Sequence, residues 1–120
     1  MEFGIGYSTL VSAPTPRFTA VIMDVLDVLT NSPSEDPAWG LRLCEVTGYG
    51  TGTIYPALDR LMKAGWITDR WEDPPPEDRP RRRLYEMTSA GREQYAAELR
   101  ARLERRARWL RLAPHAGGGA

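Results

Sequence analysis

The pattern of apolar and polar residues in the middle of the chain predicts a short helix followed by two strands. Between residues 51 and 64, apolar side chains recur at positions i, i+4, i+7 and i+8, namely Ile54, Leu58, Leu61 and Met62. This spacing places them on one buried face of a helix. After Gly65 the apolar period changes to two in residues 66–72 and again in residues 82–88, which predicts two paired strands.

Local signals indicate where this helix ends and how the hairpin is shaped. Pro56 has no N–H to donate, so we expect it in the first turn, with the helix beginning at Thr51 to Thr53 under a threonine cap. Gly65 stands where a left-handed residue commonly closes a helix. Residues 73–81, between the strands, include four prolines, which cannot donate ladder hydrogen bonds. This connection should therefore project from the sheet as a wing.

Two further helices are predicted upstream. Thr15 and Pro16 form a cap-plus-proline signal, and apolar residues at helical spacing follow them. These core positions are Phe18, Val21, Ile22, Val25, Leu26 and Leu29. Asp36 and Pro37 repeat the signal and predict a second helix over residues 38–47. Its apolar positions are Trp39, Leu43, Cys44 and Val46. Only three residues separate it from the central helix, which is the spacing of a helix-turn-helix.

A final helix of some 24 residues is predicted from Thr88 or Ser89 through Leu112. At the usual rise it is roughly 36 Å long, which exceeds what so small a domain needs to cover its core. One side carries a near-heptad apolar seam with its flanking residues, namely Tyr95, Ala96, Leu99, Leu103, Ala107 and Leu110. Because the chain has nothing left to cover this seam, we predict a homodimer formed through the final helix.

These elements divide the chain into four parts and predict an α+β, mainly helical fold. Residues 15–88 form a winged helix-turn-helix, residues 89–112 a long C-terminal dimerisation helix, and residues 113–120 a flexible tail. Residues 1–14 form an N-terminal arm that is too apolar for a simple tail. This arm either packs across a partner subunit or is irregular.

Composition and targeting signals favour one soluble domain. The chain has 120 residues, of which 42% are hydrophobic. It contains no run of about 20 apolar residues able to span a bilayer. No basic residue precedes the apolar part of its leader, as one would in a secretory signal. We therefore expect a cytoplasmic protein with no membrane partner.

Cysteine and histidine are too scarce for the usual structural or catalytic centres. Cys44 and His115 are the single residues of their types, which excludes a disulfide framework and an ordinary zinc site within one chain. We expect Cys44 to be buried as a small apolar residue. His115 lies in the glycine-rich tail, so no Ser-His-Asp or Cys-His set can form in the folded part. The sequence therefore predicts no enzyme, no cofactor and no bound metal.

Charge is unevenly distributed although the formal net charge is zero. Residues 1–50 hold two basic and six acidic side chains, residues 51–76 hold three and four, and residues 77–120 hold eleven and six. Fifteen of the sixteen basic residues are arginine, whose planar fork suits bidentate contact with phosphate. A neutral chain with one basic face has the charge pattern that attracts DNA.

Exposed polar residues on the central helix and the wing are the candidate contacts to double-stranded DNA. On the helix, Thr51, Thr53 and Tyr55 would lie near phosphates or base edges, with Arg60 and Lys63 on the DNA backbone. On the wing, the candidates for phosphate or minor-groove contact are Arg79, Arg81, Arg82 and Arg83. The alternative is a winged-helix module that binds protein and leaves these side chains solvated.

Three segments of the chain carry a recognisable family pattern. They are Gly52-Thr53-Ile54-Tyr55-Pro56-Ala57-Leu58, then Leu61 with Ala64-Gly65-Trp66-Ile67, then Arg83-Leu84-Tyr85-Glu86-Met87-Thr88 with Gly91. Over about residues 17–112 the chain resembles the PadR family of winged-helix transcriptional regulators. The resemblance implies a homodimeric repressor of a pseudo-palindromic operator, often released by a small aromatic or other hydrophobic effector. The leader, a long acidic loop at residues 31–37 and a short final helix depart from the family pattern.

Two tryptophans are candidates for the walls of an effector pocket. A dimer would place the second helix near the partner's last helix, and with it Trp39 near Trp109. Indole rings bind flat apolar molecules well. The alternative is that both rings are ordinary core residues. A related winged-helix subclass such as the MarR type would keep the DNA-binding function and change only the dimer contacts.

Overall fold

The computed structural model describes residues 15–113, in which four helices pack with a three-stranded antiparallel sheet. The elements are α1 (Ala20–Thr30), β1 (Ala38–Trp39), α2 (Gly40–Thr47), α3 (Thr51–Lys63), β2 (Ile67–Trp71), β3 (Arg83–Met87) and α4 (Ser89–Leu112). The strand order is β1-β3-β2, so β3 is central. The predicted α+β fold is confirmed. The predicted N-terminal arm and the tail beyond Ala113 lie outside the described residues.

The predicted starts of the first two helices are wrong. Helix α1 begins at Ala20, where the Thr19 hydroxyl accepts a hydrogen bond from the Ile22 N–H at 3.2 Å. Residues 38 and 39 are not helical, because they pair with β3 as β1. Helix α2 then begins at Gly40. At the second helix, pairing with a strand from a distant part of the chain overrides the local cap-plus-proline signal.

Helix α3 starts where predicted but for a different reason. Gly50 is its N-cap and no side chain caps it. Pro56 lies in the second turn rather than the first, which leaves the carbonyl of Gly52 without its helical donor. Gly52 is exposed, so water can satisfy that carbonyl. At the other end Gly65 has φ of 78°, a left-handed conformation, as expected for a residue that closes a helix.

The core lies between α1, α2, α3 and the sheet. Its largest fully buried side chains are Ile22, Val25, Leu26, Leu43, Ile54, Leu58 and Leu61. The helical periodicity predicted all seven. Two expectations for α2 differ: Val46 is 57% exposed, and Cys44 is half-buried at the edge of the core.

The hairpin pairs residue by residue, from Ile67 opposite Met87 to Trp71 opposite Arg83. One further contact extends it, because the Glu72 N–H donates to the Arg82 carbonyl at 2.8 Å. Side chains alternate between the two faces of a strand. Arg83 therefore lies on one face of the hairpin, and Arg70 lies on the other.

Helix α4 starts at a junction that joins three elements. The Thr88 hydroxyl accepts from the Gly91 N–H at 3.1 Å and donates to the Gly65 carbonyl at 2.7 Å. Gly91 and Tyr95 are the buried residues of α4 within the described chain. Tyr95 was predicted to lie in the dimer seam, but it is buried in the core of its own subunit. Its hydroxyl donates a hydrogen bond to the Asp27 carboxylate at 3.2 Å. Among the described residues, no helix has the length and apolar character of a membrane span.

We expect Gly91→Ala to destabilise the fold. A Cβ at position 91 would overlap the backbone carbonyl of Trp66, which cannot move without disturbing the start of β2. The expected loss in free energy of unfolding is about 1–3 kcal/mol, measured by urea unfolding followed by circular dichroism. The matched control is Gly52→Ala, where a Cβ meets nothing within 4 Å. This control should be neutral or slightly stabilising, and equal stability of the two variants would contradict the argument.

Candidate nucleic-acid interface

The N-terminal turn of α3 is open to solvent. Thr51 and Thr53 are both exposed, and no side chain caps the helix. The first N–H groups of a helix have no intrahelical acceptor and carry the positive end of the helix dipole. Such a terminus can bind a phosphate oxygen through backbone N–H groups and nearby hydroxyls.

Tyr55 lies beside this turn and links α3 to α2. Its side chain is 41% exposed, and its hydroxyl end packs over Gly40, where a Cβ would overlap the ring. Glycine at the start of α2 is therefore required for this close approach. Tyr55 is therefore partly accessible to a ligand, and its contact with Gly40 helps to position α3 against α2.

Arg60 and Lys63 occupy the last turn of α3. Both are exposed, and the Lys63 ammonium lies 3.0 Å from a carboxylate oxygen of Asp59. An exposed pair of this kind contributes little to stability and leaves the cation available to other partners. At 1.5 Å per residue, Arg60 lies roughly 14 Å along the axis from Thr51, so it belongs to a separate part of the surface.

Glu72 organises the base of the wing. Its two carboxylate oxygens accept from the two terminal nitrogens of Arg79, each at 2.8 Å. One of them also accepts from the Arg82 backbone N–H at 3.2 Å. The hydrogen bond from Arg79 is the main cause that lowers the pKa of Glu72 to about 2, and the Arg82 N–H adds to it. The same bond raises the pKa of Arg79 above its ordinary value.

The other wing arginines differ in their surroundings. The guanidinium carbon of Arg82 lies 3.8 Å from the centroid of the Trp39 ring, a cation–π contact. Arg83 pairs with Asp69, which stands on the neighbouring strand, and lies 5.8 Å from the Trp71 ring centroid. Arg81 is exposed and has no ion-pair or hydrogen-bond partner among the described residues. Three of the four wing arginines thus make contacts within their own chain.

A hollow of about 470 Å³ brings the wing and α3 together. Its lining consists of Trp39, Gly40, Leu41, Tyr55, Arg79, Pro80, Arg81, Arg82, Arg83 and Tyr85. It therefore joins Tyr55 to all four predicted wing arginines. Arg60 and Lys63, at the far end of α3, do not line it. Guanidinium groups beside aromatic rings favour an anionic occupant such as a phosphate group.

The two tryptophans predicted for an effector pocket line separate hollows in the described part of the chain. Trp39 belongs to the wing hollow. Trp109, 64% exposed, lines a separate one of about 400 Å³ with Arg105 and Arg106. A pocket between the two indoles would therefore need a second subunit.

Comparison with known proteins assigns the chain to a class of regulator. Residues 25–97 match the sequence model of the transcriptional regulator PadR-like family. The chain belongs to the PadR family. It is thus a transcriptional regulator rather than an enzyme. No curated protein matches its sequence.

Solved PadR structures share its fold. A PadR family transcription regulator from Clostridium difficile R20291 aligns with a TM-score of 0.65 and 14% identity, over 80% of this chain and 100% of that one. A PadR family regulator from Eggerthella lenta gives 0.59 and 22%, over 76% and 78%. Bacillus subtilis PadR in complex with operator DNA gives 0.56 and 18%, over 68% and 47%. At these identities the likeness establishes the fold.

The cations of this surface were predicted from the sequence, but the carboxylates that pair with Arg79 and Arg83, and the glycine that Tyr55 packs over, were not. Glu72 and Asp69 were not among the predicted site residues, and neither was Gly40. The signal for the two carboxylates is their place in the alternating segment before the wing, opposite the arginine-rich segment after it. The contact of Gly40 with Tyr55 has no comparable sequence signal.

We expect the contribution of Glu72 to stability to depend on pH. Because folding lowers its pKa, the contribution is complete above the ordinary carboxyl pKa of about 4.3, and it is lost as the pH falls towards about 2. Glu72→Gln should therefore lower the melting temperature at neutral pH, and this difference should close on acidification. Thermal melts followed by circular dichroism measure it.

Glu77→Gln is the matched control for that series, because Glu77 lies in the same connection and has no ion-pair partner among the residues described. It should leave the melting temperature unchanged. A difference between wild type and Glu72→Gln that stays constant down to about pH 2 would show that the carboxylate charge is not responsible.

Proposed function

We propose that this PadR-family chain is a repressor that binds a pseudo-palindromic operator as a homodimer, through the N-terminal turn of α3 and the wing. One observation carries the proposal: Tyr55 of α3 and all four wing arginines line the same hollow. A structure with the same fold, PadR of Bacillus subtilis, is in complex with operator DNA. In a winged helix of this kind, one helix enters the major groove and the wing contacts the adjacent backbone or minor groove.

The proposed contacts divide by their role. Thr51, Thr53 and the exposed part of Tyr55 meet phosphates or base edges at the start of α3. Arg60 and Lys63 contact the DNA backbone from its last turn. Arg81 is the wing residue without an ion-pair or hydrogen-bond partner among residues 15–113, so binding phosphate would break no contact seen there. Arg79, Arg82 and Arg83 add positive charge that Glu72 and Asp69 partly offset.

The homodimer is supported by the apolar side of α4 beyond Tyr95. Leu99, Leu103 and Leu110 are 40%, 69% and 55% exposed, and they follow one another at near-heptad spacing. Ala96 and Ala107 lie on the same side and allow close approach of a partner helix. In this proposal residues 15–88 bind the operator and residues 89–112 join the two subunits. Because the dimer is twofold symmetric, the operator has two half-sites, one helical turn or a small multiple apart.

Release by a small aromatic or other hydrophobic effector is the remaining part of the proposal. The exposed Trp109 and its neighbouring hollow provide a surface for a flat apolar molecule. In a dimer this surface would lie near the partner's Trp39. An effector bound there weakens operator binding only if it has a higher affinity for a dimer whose recognition helices no longer match the half-site spacing.

DNA binding predicts a measurable loss in Arg81→Ala. Removing one phosphate contact should lower the slope of log affinity against log salt concentration by about one, and weaken binding to every duplex to a similar degree. Fluorescence anisotropy with a mixed-sequence duplex at several salt concentrations measures both quantities. Arg70→Ala is the matched control. Arg70 lies on the face of the hairpin opposite to Arg83, and it pairs with Glu86 at 3.4 Å.

An unchanged slope in Arg81→Ala would remove the wing tip from the interface. Absence of salt-dependent binding by the wild-type chain would instead favour a winged-helix module that binds protein. These two results are distinct, since the first leaves wild-type binding intact.

The dimer predicts that Leu103→Glu separates the subunits. A carboxylate in the apolar seam would lose its hydration on association without gaining a partner, which opposes dimerisation. Sedimentation velocity at about 10 µM should show a monomer for this variant and a dimer for the wild type. Ala97→Glu, exposed and away from the seam on the same helix, introduces the same charge and should leave the dimer intact. Equal masses for the two variants would contradict this interface.

A further inference from the structure

Arg82 is held by its backbone and by its side chain. Its N–H donates to the Glu72 carboxylate at 3.2 Å, and its carbonyl accepts from the Glu72 N–H at 2.8 Å. Its guanidinium lies 3.8 Å from the centroid of Trp39. These contacts fix the last residue before β3, immediately after the exposed Arg81.

The Trp39 contact follows from the pairing of β1 with β3. Trp39 lies opposite Leu84 in that pair, and Arg82 is two residues before Leu84. Residues two apart in a strand share a face, so Arg82 is the diagonal neighbour of Trp39 and within reach of its ring. An indole gives the strongest cation–π contact, and a planar guanidinium stacks on it better than an ammonium does. The two-residue strand β1 therefore links the helix-turn-helix to the wing.

We propose that Trp39 is a positioning residue for DNA binding: it holds the guanidinium of Arg82, fixes the base of the wing, and so presents Arg81 to DNA from a rigid support. The proposal deepens the DNA-binding function proposed above and rests on it. In this arrangement Trp39 acts on DNA binding through Arg82. A wing already ordered in the unbound protein loses less conformational entropy when it binds.

A double-mutant cycle tests this role. Trp39→Leu removes the ring and keeps apolar bulk, and Arg82→Met removes the cation and keeps the length of the side chain. Affinities are measured by fluorescence anisotropy for a duplex selected by the wild-type chain from random sequences, and for a mixed-sequence duplex of equal length. Each single variant should bind about threefold to tenfold more weakly than the wild type. The double variant should bind no more weakly than the weaker single variant, because both changes remove the same contact.

A salt-dependence measurement and a control variant distinguish a positioning role of Trp39 from a general loss of folding or of charge. Trp39→Leu removes no charge, so the slope of affinity against salt concentration should match that of the wild type. Arg42→Met is the matched control, because Arg42 lies 5.5 Å from the same ring but belongs to α2, and it should change affinity less than about twofold. Melting temperatures identify any variant that does not fold. If Trp39→Leu does not fold, Trp39→Phe and Arg82→Lys complete the same cycle with smaller expected effects.

Wild-type affinity in Trp39→Leu, or fully additive losses in the cycle, would overturn the positioning role and leave DNA binding intact. A wild-type chain that binds neither duplex would overturn the proposed function and this inference with it. Non-additive losses with an unchanged salt slope support the positioning role.

Discussion

Strand β3 is paired on both edges, and the position of the candidate interface depends on that double pairing. One edge of β3 pairs with β1, which contains Trp39. The other edge pairs with β2, and the wing connects β2 to β3. Its C-terminal end leads to Thr88, which caps α4 and bonds to the carbonyl of Gly65 just after α3. A one-residue change in register would turn Arg83 away from the α3 side of the hairpin. The sheet, though small, thus sets the positions of the wing, α3 and α4 relative to one another.

Elements with strong periodicity were predictable, and elements that depend on distant partners were not. The apolar face of α3 and the alternation of β2 and β3 are local patterns, so the sequence placed them almost correctly. Strand β1 has two residues, which is too short for any period, and its pairing partner lies far along the chain. Before α1, the Phe18 ring stacks on the Trp66 ring at 5.3 Å between centroids, a contact that no local signal reveals.

The same distinction separates the predictable part of the candidate site from the rest. Exposed residues on a helix and arginines in a wing follow from composition and spacing. Their partners follow only from the register, which puts Asp69 opposite Tyr85 and within reach of Arg83. Tyr95 illustrates the limit of periodicity, which identifies an apolar side of α4 but not what covers it. Near the start of the helix the chain's own core covers that side, and farther along the apolar residues are exposed.

The wing combines a reduced charge with a conformationally restricted connection. At distances beyond the Debye length of about 10 Å, the close pair of Arg79 and Glu72 attracts a phosphate little more than a neutral group does. The nine residues of the connection include four prolines, however, and Glu72 fixes both Arg79 and the backbone of Arg82. Restricting the unbound loop lowers the entropy lost on binding. The proposed dimer presents two wings, so the smaller loss of conformational entropy applies to each of them. DNA affinity should therefore depend on the geometry at the base of the wing as well as on the number of arginines.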